Sequence, residues 1–210
     1  MEYYFSGGDS LWPAKESRKR LFEAAANEFA IRGFHDTKVS TIMKRAGLTQ
    51  PSFYLYFSSK DAIFEELIAD FHTHLRELIT SFRLENGDKR KDVSKRVLAT
   101  VETVFQFLAA NPDLTRIGFF LNPEAKQMKR DVTLALKENL EAEQRLGYFR
   151  SELEMETVAE CLIGMIIHLT DLYLLPGIKD PANLSAEVVD LLIHGMLPNQ
   201  SIPGQASETE

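Results

Sequence analysis

Apolar positions recur three and four residues apart along nearly the whole chain, the period of amphipathic helices rather than strands. Leu21, Ala25 and Phe29 keep this spacing with Phe22 and Ala26 alongside, and Gly33 follows Arg32, so a first helix is predicted over about Ser17 to Arg32. Val39, Ile42, Met43 and Ala46 form a stripe that ends at Gly47, the pattern of a second helix of about two turns. Thr49 is suited to cap a third short helix, with Pro51 in the first turn where a missing N–H costs little. Phe53 and Phe57, one turn apart, can face inward together. Phe64, Leu67, Ile68, Phe71, Leu75, Leu78, Ile79 and Phe82 then predict a helix of about six turns that stops before "ENGDK".

The rest of the chain reads the same way. Val93, Val97, Val101, Val104, Phe105 and Leu108 mark a helix ended by "ANP", and "DLTRIGFFL" a short one stopped by Asn122-Pro123. A long helix from Glu124 to about Leu146 precedes a "GYF" turn. Met155 to Leu174 and Leu184 to Leu197 are two further helices with more apolar surface than one buried face requires. The expected fold class is all-α, with about nine helices. An irregular arm over 1–16 leads into a three-helix helix-turn-helix unit over 17–61, then a helical body over 62–198 and a disordered polar tail over 199–210.

Two short helices joined at a tight glycine and braced by a first helix are the elements of a helix-turn-helix. In that unit the second short helix enters the major groove by its N-terminus, where free N–H groups favour phosphate and the leading side chains reach base edges. Gln50, Pro51 and Tyr54 are then expected to face the groove, while the hydroxyls of Thr49, Ser52 and Tyr56 and the charge of Lys60 suit phosphate oxygens.

Charge along the chain supports this placement. The net charge is −7, yet Lys15 to Lys60 hold nine cations against four carboxylates, so a +5 head precedes an acidic body. A basic solvated face without a partner is the plainer alternative. No run of 18 uninterrupted apolar residues occurs, and "MEYYFSGGDSLWPAK" lacks the basic and apolar regions of a secretory signal, so a cytoplasmic protein without membrane association is expected. Cys161 has no cysteine to pair with, and its apolar flanks suggest a buried structural thiol.

From Arg18 to about Leu67, "RLFEAAANEFAIRGFHDTKVSTIMKRAGLTQPSFYLYFSSKDAIFEEL" resembles the tetracycline-repressor (TetR/AcrR) family of bacterial transcriptional regulators. The matching positions are AA, F, GF, T, V, I, AG, an aromatic Tyr-x-x-Phe cluster and a Lys-acid pair. Glu28, Lys38, Met43, Pro51 and Tyr56 depart from that pattern, standing where Leu, a second Thr, Ala, Gly and His are common. The resemblance implies base contacts from Gln50, Pro51 and Tyr54, a base or backbone contact from Ser40, and phosphate contacts from Thr49, Ser52, Tyr56 and Lys60, with Lys38 as a further candidate. It also implies that 62–198 is an effector-binding and dimerisation domain.

The partners so implied are a double-stranded DNA operator, a second copy of the chain and a small hydrophobic effector that releases the repressor from a palindromic site. Phe105, Phe119, Phe120, Tyr148, His168 and Tyr173 are the candidate pocket residues, although aromatic residues at helical spacing are also ordinary core. Leu162, Met165, Ile166, Leu169, Val189, Leu192, Ile193 and Met196 are the candidate dimer contacts. Catalysis is not expected. His72 and His74 point apart on a helix, His35, His168 and His194 lack ligand neighbours, and no phosphate loop or activated nucleophile is present, so no metal or cofactor is predicted. A helical adaptor that binds protein and not DNA is the alternative function.

Overall fold

The structure, a computed structural model, describes residues 12–82 and 93–196, with side chains from Lys15 onward. The arm up to residue 11, the "ENGDK" stop, Leu197 and the tail lie outside the described residues. Nine α-helices and no strand occur among the described residues. The head comprises α1 (Trp12–Asp36), α2 (Val39–Ala46), α3 (Gln50–Phe53) and the start of α4 (Lys60–Ser81). The body adds α5 (Val93–Ala110), α6 (Pro112–Arg116), α7 (Ala125–Arg145), α8 (Met155–Leu169) and α9 (Pro181–His194). Two π turns, Ile117–Leu121 and Thr170–Leu174, extend α6 and α8.

Helix α1 begins at Trp12, five residues before the expected start, because Trp12 to Glu16 are helical without any apolar periodicity to mark them. Its regular path breaks at Gly33, where φ is 76° and ψ 168°, at the predicted stop. Gly47 takes φ 66° and ψ 33° after α2 and gives its N–H to the carbonyls of Lys44 and Met43. A left-handed conformation costs a side-chain-bearing residue about 1 kcal/mol, so glycine suits this turn.

One core cluster runs from head to body, and two smaller ones lie within the body. Leu21, Phe29, Ile42, Phe53 and Phe64 join Phe71, Leu108, Ile117, Phe119 and Val132 in one cluster. The border expected at residue 61 falls in the first turn of α4, and that helix belongs to both parts. Gly118 lies against the Phe71 ring so closely that a Cβ there would clash with Cδ1 and Cε1. Asn27 Nδ2 on α1 donates to Asp113 Oδ2 on α6 at 2.9 Å, and Arg18 pairs with Glu66, its guanidinium over the Phe22 and Phe57 rings.

Glu28 is buried in the head, where Arg45 Nε of α2 donates to it at 2.7 Å and Arg32 Nε at 2.8 Å. Burial pushes its carboxyl upward, but the hydrogen bonds from Arg45 and Arg32 outweigh this and hold it below its ordinary value of 4.5. The carboxylate at this sequence position therefore ties α1 to α2 through charge.

Cys161 is exposed, not buried as expected; the inward face of α8 is carried by Met155, Ala159 and Ile163, and Cys161 falls off that stripe. Met155–Leu174 is long and apolar enough to cross a membrane by length and composition, and 28% of its 18-residue apolar window is buried, so much of its apolar surface is uncovered. Leu172, Leu191, Leu192, Ile193 and Met196 add further exposed apolar surface.

Because the Glu28 carboxyl is held low, its contribution is complete above pH 4.5 and fades as pH falls through the depressed value. Glu28→Gln is expected to lose about 1 to 3 kcal/mol near neutrality. Denaturant unfolding at several pH values should find the variant less sensitive than the parent to acidification below pH 4.5.

Candidate nucleic-acid interface and effector cavity

The aromatic cluster divides into two roles by its spacing. Phe53 and Phe57 are buried, 5.9 Å apart between ring centroids, and Phe57 also stacks on Phe22 of α1. Tyr54 and Leu55 turn outward, 62% and 80% exposed. Gln50 and Pro51, at the leading end of α3, are exposed, as are Thr49, Lys38 and Ser40; Ser52 and Tyr56 are half-buried. The anchored pair thus fixes which side chains face solvent. Leu55 was missed in the sequence reading, where an apolar residue between two aromatics gave no sign of pointing outward.

Three details differ from expectation. The third short helix, expected to carry Phe53 and Phe57 together, is one turn: four residues of helix followed by turns through Tyr56. Thr49 caps no backbone N–H; its hydroxyl hydrogen-bonds Ser52 Oγ at 2.8 Å. Lys60 is turned inward: Nζ donates to the carbonyls of Phe34 at 2.6 Å and Thr37 at 3.0 Å, and lies 4.2 Å from the Phe34 ring centroid. An ammonium has three donors, so these carbonyls leave Lys60 a tie across the end of α1 in place of a free phosphate ligand.

The head's charge is likewise partly internal. Arg18, Arg32, Arg45 and Lys60 are engaged within the fold, whereas the side chains of Lys19, Arg20, Lys38 and Lys44 make no hydrogen bond or ion pair among the described residues. These four remain for a polyanion.

In the body, α4, α5, α7 and α8 enclose a cavity of about 830 Å³. Leu75 and Ile79 of α4, Val97, Val101 and Val104 of α5, Leu136 and Leu140 of α7, and Leu162 and Ile166 of α8 form aliphatic parts of its wall. Asn139, whose Nδ2 donates to the Ile79 carbonyl at 2.8 Å, and Arg96, Tyr148 and Arg150 supply polar groups. Of the predicted pocket residues, Phe119 and Tyr148 line this cavity. Phe105 is instead core between α5 and α9, and Tyr173 packs on that same core with Lys179 over its ring. Phe120 and His168 line a separate cavity between α7 and α8. Two of the six expected residues thus line the large cavity, where Phe82 and Phe149 join a mainly aliphatic wall.

The predicted dimer contacts are scattered. Val189 is buried within the chain beside Leu184 and Val188, and Leu162, Met165, Ile166 and Leu169 are half-buried. Leu192, Ile193 and Met196 are exposed, Leu192 and Ile193 also reaching the large cavity.

Residues 21–67, from within α1 to the second turn of α4, match the family model for bacterial regulatory proteins of the tetR family. The HTH-type transcriptional regulator YdgC of Bacillus subtilis is 73% identical over 183 residues, 87% of this chain and 94% of that relative. This chain belongs to the tetR family. The fatty acid metabolism regulator protein of Bacillus subtilis is 26% identical over 187 residues, covering 84% of this chain and 94% of that protein. The solved structure of the fatty acid degradation regulator FadR from Bacillus halodurans superposes with a TM-score of 0.65 at 25% identity, over 85% of this chain and 99% of that one. The all-α fold with an N-terminal helix-turn-helix is therefore that of a DNA-binding transcriptional regulator and not of an enzyme.

As a tetR-family head, this unit is expected to read one operator position through Gln50, whose amide can pair bidentately with adenine. Gln50→Ala should relax that position at a cost of about 1 to 3 kcal/mol, measured by binding to a set of single-base operator variants. An equal loss on every sequence would contradict base reading. Lys60→Gln should act through the fold, lowering thermal stability by about 1 to 3 kcal/mol while leaving the salt dependence of DNA affinity unchanged.

Proposed function

We propose that the protein is a cytoplasmic, ligand-responsive repressor that binds a palindromic operator as a homodimer and leaves it when a hydrophobic effector with a long acyl chain fills the large cavity. The observation that carries this reading is the cavity's aliphatic wall of about 830 Å³ along α4, the helix whose other end carries the head. A volume of that size accommodates a long chain, and polar side chains such as Arg96, Asn139, Tyr148 and Arg150 can meet a polar end. The names of the fatty acid regulators among the relatives favour the same chemistry.

Gln50, Pro51 and Tyr54 would meet bases, and Lys38, Ser40, Thr49, Ser52 and Tyr56 would hold the sugar-phosphate backbone. The exposed apolar surface of α8 and α9 supports a second copy as its cover, with Met165, Leu169, Leu192, Ile193 and Met196 towards the partner. Two heads then read half-sites about one helical turn, or 34 Å, apart or at a multiple of it.

Release follows from contacts along α4. Phe119, in the cavity wall, meets the Phe71 ring of α4 edge-on at 5.3 Å, and Gly118 presses on that same ring. A ligand that needs more room than the DNA-bound form allows would shift α4 and the head on it. It can do so only by binding one head spacing more tightly than the other.

Sedimentation at micromolar concentration is expected to give a dimer. Val97→Trp, which places an indole in the cavity from a half-buried position, should weaken binding of long-chain acyl compounds tenfold or more in titration calorimetry. The same variant should still shift operator DNA, and should resist release by those compounds.

A further inference from the structure

Leu55 is more exposed than any other large apolar side chain of the head among the described residues, at 80%. Its main chain is nonetheless held on both sides. Its own N–H donates to the Ser52 carbonyl at 3.3 Å, and the N–H groups of Tyr56 and Phe57 donate to the Phe53 carbonyl at 2.9 and 3.0 Å. The buried rings of Phe53 and Phe57 occupy the inward side, so the leucine between them is fixed facing out. Tyr54 keeps right-handed helical dihedrals, φ −72° and ψ −6°, and its ring meets Phe53 edge-on at 5.4 Å. The helical sense of α3 therefore continues past its last residue, and positions four apart share a side. Gln50 with Tyr54 makes one ridge, bearing an amide and a phenol hydroxyl. Pro51 with Leu55 makes the next, whose side chains hold no donor or acceptor.

Such a ridge has one complement in the major groove. Every base pair shows donors and acceptors there, and the single apolar group is the C5-methyl of thymine. A leucine cannot bind phosphate oxygens, which separates Leu55 from the hydroxyls of Thr49, Ser52 and Tyr56 around it. We propose that Leu55, flanked by Pro51, is a specificity residue that packs on the C5-methyl of one thymine in each operator half-site. The ridge is continuous with Gln50 and Tyr54, and its main chain is set before DNA arrives, so little ordering entropy opposes the contact. Cytosine offers a hydrogen in place of the methyl and an amino group that Leu55 would leave without a partner, so the contact discriminates against it. This rests on the DNA-binding reading of the head, and adds to it a base that is read without a hydrogen bond.

The test uses a duplex selected from random DNA by the full chain, with each thymine replaced in turn by uracil, which lacks the methyl and keeps every hydrogen-bonding group. The parent is expected to lose affinity about three- to tenfold at one thymine of a half-site. Leu55→Ala, at an exposed position, should keep the parent's melting temperature and bind the thymine duplex more weakly by that same factor. It should then bind the thymine and uracil duplexes equally. Parent-like affinity of Leu55→Ala for the thymine duplex would overturn the proposal. So would a uracil penalty that is the same in parent and variant at every position, since Leu55 would then touch the backbone or nothing. If the parent selects no duplex at all, the DNA-binding reading falls and the proposal with it, a result distinct from a missing methyl effect on a bound operator.

Discussion

A helix of four residues cannot hold itself together in water, because the first turn fixes several dihedral angles for a single hydrogen bond. The α3 turn exists because Phe53 and Phe57 are buried against α1 and α4, and each fully buried phenylalanine contributes about 1.5 to 3 kcal/mol. That anchoring leaves Gln50, Pro51, Tyr54 and Leu55 on the outside. The surrounding ties serve the same end: Glu28 joins α1 to α2, Lys60 closes the end of α1 onto α4, and Arg18 links Phe57 to Glu66. Much of the head's positive charge is thereby structural, and the surface is basic through fewer residues than a count along the chain suggests.

The same economy of contacts joins head to body. Helix α4 has no break between Lys60 and Ser81, so a displacement at Leu75 or Ile79 reaches the head through continuous hydrogen bonding. Asn27 and Asp113 add a second connection, from α1 to α6, and the Oδ1 of that asparagine is buried without a hydrogen-bond partner. A buried amide satisfied on one side only is a place where a rearrangement can gain a bond that the present arrangement lacks.

Most of the fold was legible in the sequence because its helices carry clear stripes and clear stops. Gly33, Gly47 and the Asn122-Pro123 pair mark real ends, and α7 begins and finishes within a residue of expectation. The start of α1 was not legible, since Trp12 to Glu16 have no apolar period. The outward direction of Gln50 and Tyr54 followed from the inward direction of Phe53. The inward turn of Lys60 did not, because its partners are backbone carbonyls of residues more than twenty positions earlier, which no local pattern encodes. The cavity was illegible for a different reason: Val97, Val101 and Leu140 have the spacing of packed core, and a period records which face is inward without recording whether anything fills the space there.

The π turn after α6 places neighbouring residues in different compartments. Phe119 faces the large cavity and Phe120 the smaller one, while Gly118 between α6 and this pair touches α4. Three consecutive side-chain positions are thus allotted to three surroundings by the phase of one widened turn. Deleting or inserting a single residue between Pro112 and Pro123 would rotate each onto its neighbour's task, so the length of this segment is constrained as tightly as the identity of any residue in it.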